Sequence, residues 1–181
     1  ALIHNGEYQF PEYSNSNYIT TEKCGDKKVI AITSDKNTPA KGEVFASSSL
    51  FSRIVMEQYH RLANDCGEDY ERADMYYAVA NIANQIDMNG IYVQNSETGK
   101  EELVRFTEKE YNDKLASLIS AIKRDRINLT LGVKMFDYES NGAVGELYTF
   151  ELAGVYLDRN ANLGTGSIVL SDDDFNMLWG E

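Results

Sequence analysis

The hydrophobic pattern changes its period along this chain. Between Leu50 and Ile122 most apolar residues recur at three- and four-residue spacing, whereas from Asn128 Leu129, Leu131, Val133 and Met135 alternate with Asn128, Thr130, Gly132 and Lys134. A spacing of 3.6 lays a stripe down one side of a helix, and a spacing of two buries one face of a strand. Helices in one block and strands in another exclude regular βαβ alternation. They predict an α+β fold with a mainly antiparallel sheet, a helical hairpin, a third helix and a short C-terminal helix.

The punctuation supports this order. Lys28–Thr33 is a short β-branched run closed by the turn-forming residues 34–39. Ser47, Ser48 and Ser49 offer N-caps to a helix whose stripe runs Leu50, Phe51, Ile54, Val55, Tyr59, Leu62, Ala63, Cys66, with Gly67 as its stop. A second helix follows from the acidic step Glu68-Asp69 to about Met88, where Asn89-Gly90 ends it. Two helices joined so closely are expected to pack as an antiparallel hairpin. Ile91-Tyr92-Val93 and Leu103–Phe106 flank the turn Asn95–Gly99 and read as a β-hairpin. Thr107-Glu108-Lys109-Glu110 has the spacing of a capping box and starts a third helix at Glu108. That helix closes on Lys123, Arg124 and Arg126, cations suited to a helix C-terminus. Beyond the alternating strand, residues 147–157 are apolar on both faces, implying a central strand. Ile168-Val169-Leu170 is a further strand, and Ser171 caps the last helix.

A length of 181 residues is that of one domain, and the chain is read as a single α+β domain over residues 1–181, with residues 1–27 an irregular or hairpin-like lead-in. The opening Ala1–Phe10 lacks a basic region followed by an apolar run, which argues against a secretory signal. Cys24 and Cys66 are read as free thiols, since two cysteines make no framework.

Charge narrows the function. Seventeen basic and 29 acidic residues leave a net charge of −12, which disfavours attraction to nucleic acid or anionic lipid. Between Asp65 and Asp113 there are 12 acidic and only 4 basic residues. The expected binding surface therefore comprises Asp65, Glu68, Asp69, Glu71, Asp74, Glu101 and Glu102, able to face a basic groove that otherwise holds DNA or RNA. Twelve tyrosines suit a contact role, because Tyr supplies large area at low entropic cost.

No catalytic residue, cofactor or metal site is assigned. Asp158–Gly164 starts like an EF-hand loop but carries Leu163 in place of the turn glycine and Val169 in place of the bidentate glutamate. Gly164-Thr165-Gly166-Ser167 precedes a strand instead of a helix, so it is a turn and not a phosphate cradle. Asp172, Asp173 and Asp174 follow one another around a helix start and serve the dipole. Two histidines, His4 and His60, make a zinc site unattractive. A carboxylate and lysine set, Glu12 with Asp26-Lys27-Lys28, is the remaining enzyme candidate, a metal-dependent nuclease.

In size, clustered acidity, lack of a catalytic signature and an Asn-, Tyr-, Lys- and Glu-rich vocabulary, the chain resembles in general character the small proteins that phages use against host defences, anti-CRISPR and antirestriction proteins among them. The resemblance covers no aligned segment and carries over no residue role. It implies a non-enzymatic inhibitor in the cytoplasm of a bacterial host. Its partner would be a protein with a basic nucleic-acid groove, Cas9 with its guide RNA being the sharper form, with no membrane involved. The alternatives are the metal-dependent nuclease and a phage structural or assembly protein.

Overall fold

The computed structural model describes residues 4–9, 16–23, 27–65, 70–137, 139–140, 142–157 and 167–180. The elements in chain order are β1 His4–Gln9, β2 Ser16–Lys23, β3 Val29–Ala31, β4 Glu43–Ser47, α1 Ser48–Asp65, α2 Tyr70–Met88, β5 Gly90–Gln94, β6 Glu101–Arg105, α3 Glu108–Arg124, β7 Thr130–Asp137, β8 Gly142–Tyr156, β9 Ser167–Leu170 and α4 Asp172–Trp179. The class is α+β. The chain divides into two compact units, residues 1–51 with 128–181 and residues 52–127, the first boundary falling inside the first turn of α1.

The first unit is built on a seven-stranded sheet in the order β3-β8-β4-β9-β2-β1-β7. Because β7 also pairs with β8, six of these strands form a closed ladder and β3 is appended to the end of β8. The expected antiparallel pairing holds for β1–β2, β1–β7, β3–β8, β4–β9 and β7–β8, but β2–β9 and β4–β8 are parallel, so the sheet is mixed. The segment read as an irregular or hairpin-like lead-in supplies β1 and β2 as an antiparallel pair. The strand β4 was not expected at all, and β8 starts five residues earlier than its apolar core suggests.

Register sorts the sheet into two faces. Ile19, Thr21, Val44, Ala46, Leu131, Val133, Phe150, Leu152, Ile168 and Leu170 share one face, and all are buried. Helix α4 packs on β2 and β9, burying Phe175 and Leu178 while the Trp179 Nε1 donates to Thr21 Oγ1 at 3.2 Å. On the opposite face Phe45, Ala153, Tyr156 and Val169 form a buried cluster with Val29 against it. The β4–β8 register slips between Val44 and Phe45, leaving Ala153 as the extra residue of a bulge. Gly154 next to it is obligatory in size, because a Cβ there would stand 2.7 Å from Phe45 Cδ1 and 3.1 Å from Val29 Cγ1.

Helix α4 begins as its sequence predicts, with the Asp174 amide donating to Ser171 Oγ at 3.1 Å. Asp174 does more than complement the dipole. Its buried carboxylate accepts from the Gly42 amide at 2.8 Å and from the Ser171 hydroxyl at 3.0 Å, tying the turn before β4 to the helix start.

The second unit holds α1 from Ser52 onward, α2, the two-stranded sheet β5–β6 and α3. Helix α3 buries Tyr111, Leu115, Leu118, Ile119, Ala121 and Ile122, the predicted stripe with Ala121 added. Its N-cap is Thr107, whose hydroxyl accepts from the Glu110 amide at 3.2 Å. Thr107→Ala leaves that donor to water alone and is expected to destabilise the protein by about 1 kcal/mol in urea unfolding, with Thr107→Ser restoring most of the loss. At the other end Arg124 grips Asp125 through Nε and Nη2, both at 3.1 Å. This hydrogen-bonded guanidinium lowers the Asp125 carboxyl below its ordinary value.

Candidate binding surface

The acidic stretch is displayed by three elements of the second unit. Asp74 and Asp87 lie on α2, Glu97 in the hairpin turn, Glu101 and Glu102 on β6, and Glu108, Glu110 and Asp113 on α3; every one of these side chains is exposed. Of the expected surface residues, Asp65 and Glu71 fall in helices, while Glu68 and Asp69 lie outside the described residues. Asp74 lies near the start of α2, whereas the β6 pair belongs to the hairpin that follows the other end of that helix. A rise of about 1.5 Å per residue puts Asp74 roughly 20 Å along the axis from the Met88 end of α2, where the hairpin begins.

The hairpin's shape follows from local chemistry. Asn89 takes a left-handed conformation at φ 54°, which Asn tolerates, and turns the chain out of α2. Gly90 then enters β5 against the Val104 carbonyl, where a Cβ would collide with backbone. In the turn, Asn95 Oδ1 accepts from the amides of Glu97 at 2.8 Å and Thr98 at 3.2 Å, and Gly99 supplies the left-handed residue at φ 69°. Asn95 Nδ2 also donates to Glu102 Oε1 at 3.3 Å, holding that carboxylate beside the turn. Arg105 Nη1 donates to the Met88 carbonyl at 2.8 Å and anchors the base of the hairpin.

The sequence reading missed the hydrophobic character of this hairpin's surface. Ile91, Val93 and Val104 share one face with Glu102 by register, and they are 37%, 45% and 50% exposed. On the other face Tyr92 is 59% exposed. The available signal was three consecutive apolar residues in a strand that, among the described residues, no third strand covers. On α2, Met75 and Tyr77 next to Asp74 are also exposed, with Tyr77 stacked edge-on against Tyr59 at 5.5 Å.

Other polar groups serve the scaffold. Tyr76 is buried between α1 and α2 near Gln58, Arg61 and Arg72; burial raises its hydroxyl above the ordinary phenol value, against the opposing pull of Arg72. Ser140 and the amides of Glu139 and Ser140 bind the Asp137 carboxylate and lower it. The stabilisation of that turn is therefore present above the ordinary carboxylate range and is lost as pH falls through the lowered value. In the first unit Lys27 Nζ lies 3.1 Å from Glu22 Oε2 and 5.9 Å from the Tyr156 ring centroid.

The remaining sequence candidates divide simply. Glu12, Asp26, Cys24, Cys66 and the loop from Asp158 to Gly166 lie outside the described residues, and His60 is exposed on α1. Among the described residues no group of three His, Cys, Asp or Glu side chains is placed to hold a metal, and no helix is long and apolar enough to cross a membrane. No protein-family profile matches the chain, and no curated protein or solved structure matches it.

Proposed function

We propose that this chain is a non-enzymatic binding protein that inhibits a nucleic-acid-processing enzyme, its carboxylates occupying the basic groove that the nucleic acid otherwise fills. Cas9 with its guide RNA is the specific target proposed. The observation that carries this reading is the uniform exposure of the acidic side chains from Asp74 to Asp113, interspersed with the exposed apolar residues of the β5–β6 hairpin. Carboxylates at that density steer association with a positive groove, and apolar and aromatic contacts slow dissociation.

The test is target-DNA cleavage by Cas9 with guide RNA, titrated with this protein, the guide being run on the same gel. Loss of cleavage near stoichiometric ratio with an intact guide is the expected result. Undisturbed cleavage with an intact guide removes Cas9 as the target, and a shortened guide whose appearance needs a divalent metal replaces the inhibitor with the nuclease. Reversing Asp74, Glu102 and Glu110 together to lysine is expected to weaken binding roughly tenfold or more at low salt and to flatten its salt dependence. Unchanged affinity would remove the acidic surface from the mechanism.

A further inference from the structure

The β5–β6 hairpin is a two-stranded sheet, one strand short of what is ordinarily needed for independent stability, and among the described residues no third strand pairs with it. Its hydrogen-bond phase is set at both ends, where the Asn95 amide donates to the Lys100 carbonyl at 2.8 Å and the Phe106 amide to the Asn89 carbonyl at 2.9 Å. Alternation between these limits pairs Ile91 with Val104 and Val93 with Glu102 through backbone hydrogen bonds. The backbone groups of Glu101, Leu103 and Arg105 therefore point outward along the free edge of β6.

That edge reads the same in both directions. Antiparallel pairing of β6 with a second β6 about a two-fold axis at Leu103 sets Leu103 against Leu103 of the other copy, Glu101 against Arg105, and Arg105 against Glu101. We propose that two copies of this chain associate through this edge into a continuous antiparallel sheet of strand order β5-β6-β6-β5. Opposite charges directly across antiparallel strands are favourable, and like charges are not, so the Glu101 and Arg105 pairs select this register. The edge of β5 has no charge with which to set a register. A two-fold axis normal to the sheet also puts Ile91, Val93 and Val104 of both copies on the same side, joining two small apolar patches into one. The Glu102 side chains lie opposite Val104, each already held by Asn95. The interface is isologous, as a closed dimer requires. It does not depend on the identity of any other partner.

Sedimentation equilibrium from micromolar to sub-millimolar loading tests the assignment. The wild-type mass is expected to climb from the 20.4 kDa monomer towards twice that value. Glu101→Arg places two arginines opposite each other at both ends of the seam, and Arg105→Glu does the same with two glutamates. Each variant alone should dimerise at least tenfold more weakly than the wild type; Arg105→Glu also removes the bond to the Met88 carbonyl at the hairpin base, so the unchanged far-UV circular dichroism is required of Glu101→Arg, which leaves that bond in place. Mixed in equal amounts, the two variants oppose arginine with glutamate at both ends, and association should return. A wild type that stays monomeric throughout overturns the proposal, as do single variants that dimerise normally or a mixture that stays apart.

Discussion

Replacing Phe45 with alanine is expected to lower the free energy of unfolding by about 3–5 kcal/mol, a large part of the 5–15 kcal/mol that holds an ordinary domain together. The Phe45 ring is wholly buried on β4, in a cluster with Ala153, Tyr156 and Val169, and it lies over the backbone at Gly154. Truncation removes the ring's transfer free energy and leaves a cavity that strands paired on both sides of β4 cannot easily close. Urea unfolding should show a lower midpoint at an unchanged slope. A second substitution tests the geometry as well as the magnitude. Gly154→Ala alone forces a Cβ into the Phe45 ring and costs about 1–3 kcal/mol by overpacking. In the Phe45→Ala background the ring is gone, so the same methyl group should cost little or recover part of the loss, and the two effects will not add. A loss below about 1 kcal/mol for Phe45→Ala, or simple additivity with Gly154→Ala, would mean that the two residues do not meet as described.

What the sequence made legible were the elements whose signals are local. Thr107 with Glu110, the stripe from Tyr111 to Ile122, the alternation from Leu129 to Met135 and the Ser171 cap each lie within a few residues of what they specify, and each falls where expected. The strand β4 was hidden because Val44, Phe45, Ala46 and Ser47 are buried on both faces and run without a break into α1, so they show neither alternation nor a turn. The parallel pairing of β2 with β9 has no local trace, since Thr20 and Ser167 meet at 2.6 Å across 147 positions of sequence. At the candidate surface, the exposure of Asp74, Glu101 and Glu102 was readable from charge alone. The exposure of Ile91, Tyr92, Val93 and Val104 was not, because apolar strands are assumed to be covered and only the topology reveals that, among the described residues, no third strand joins this pair. Glu22 is the sharpest case. Its position in a Thr-Thr-Glu-Lys run suggests solvent, yet the parallel neighbour β9 encloses it.

Lys27→Met is expected to destabilise the protein by about 3 kcal/mol at neutral pH. The Glu22 carboxylate lies on the same sheet face as Val169 and is only 3% exposed at the side chain, with the Lys27 ammonium 3.1 Å away as its ion-pair partner. Removing that cation strands a negative charge in a site that water hardly enters, and breaking a buried pair in this way costs about 3–5 kcal/mol. The lower end applies here because Lys27 keeps 26% of its side chain exposed and already draws on solvent. The attraction of its ammonium to the Tyr156 ring is lost as well, a smaller effect at 5.9 Å. The decisive comparison is the double variant Glu22→Leu with Lys27→Met. If the cost is that of an unpaired buried charge, removing both partners should restore stability to near the wild-type value, since a buried ion pair exchanged for apolar side chains of similar volume is often neutral. If Lys27 acts instead through its packing alone, the double variant will be at least as unstable as the single one. A single variant within about 0.5 kcal/mol of wild type would show that the pair does not form in solution.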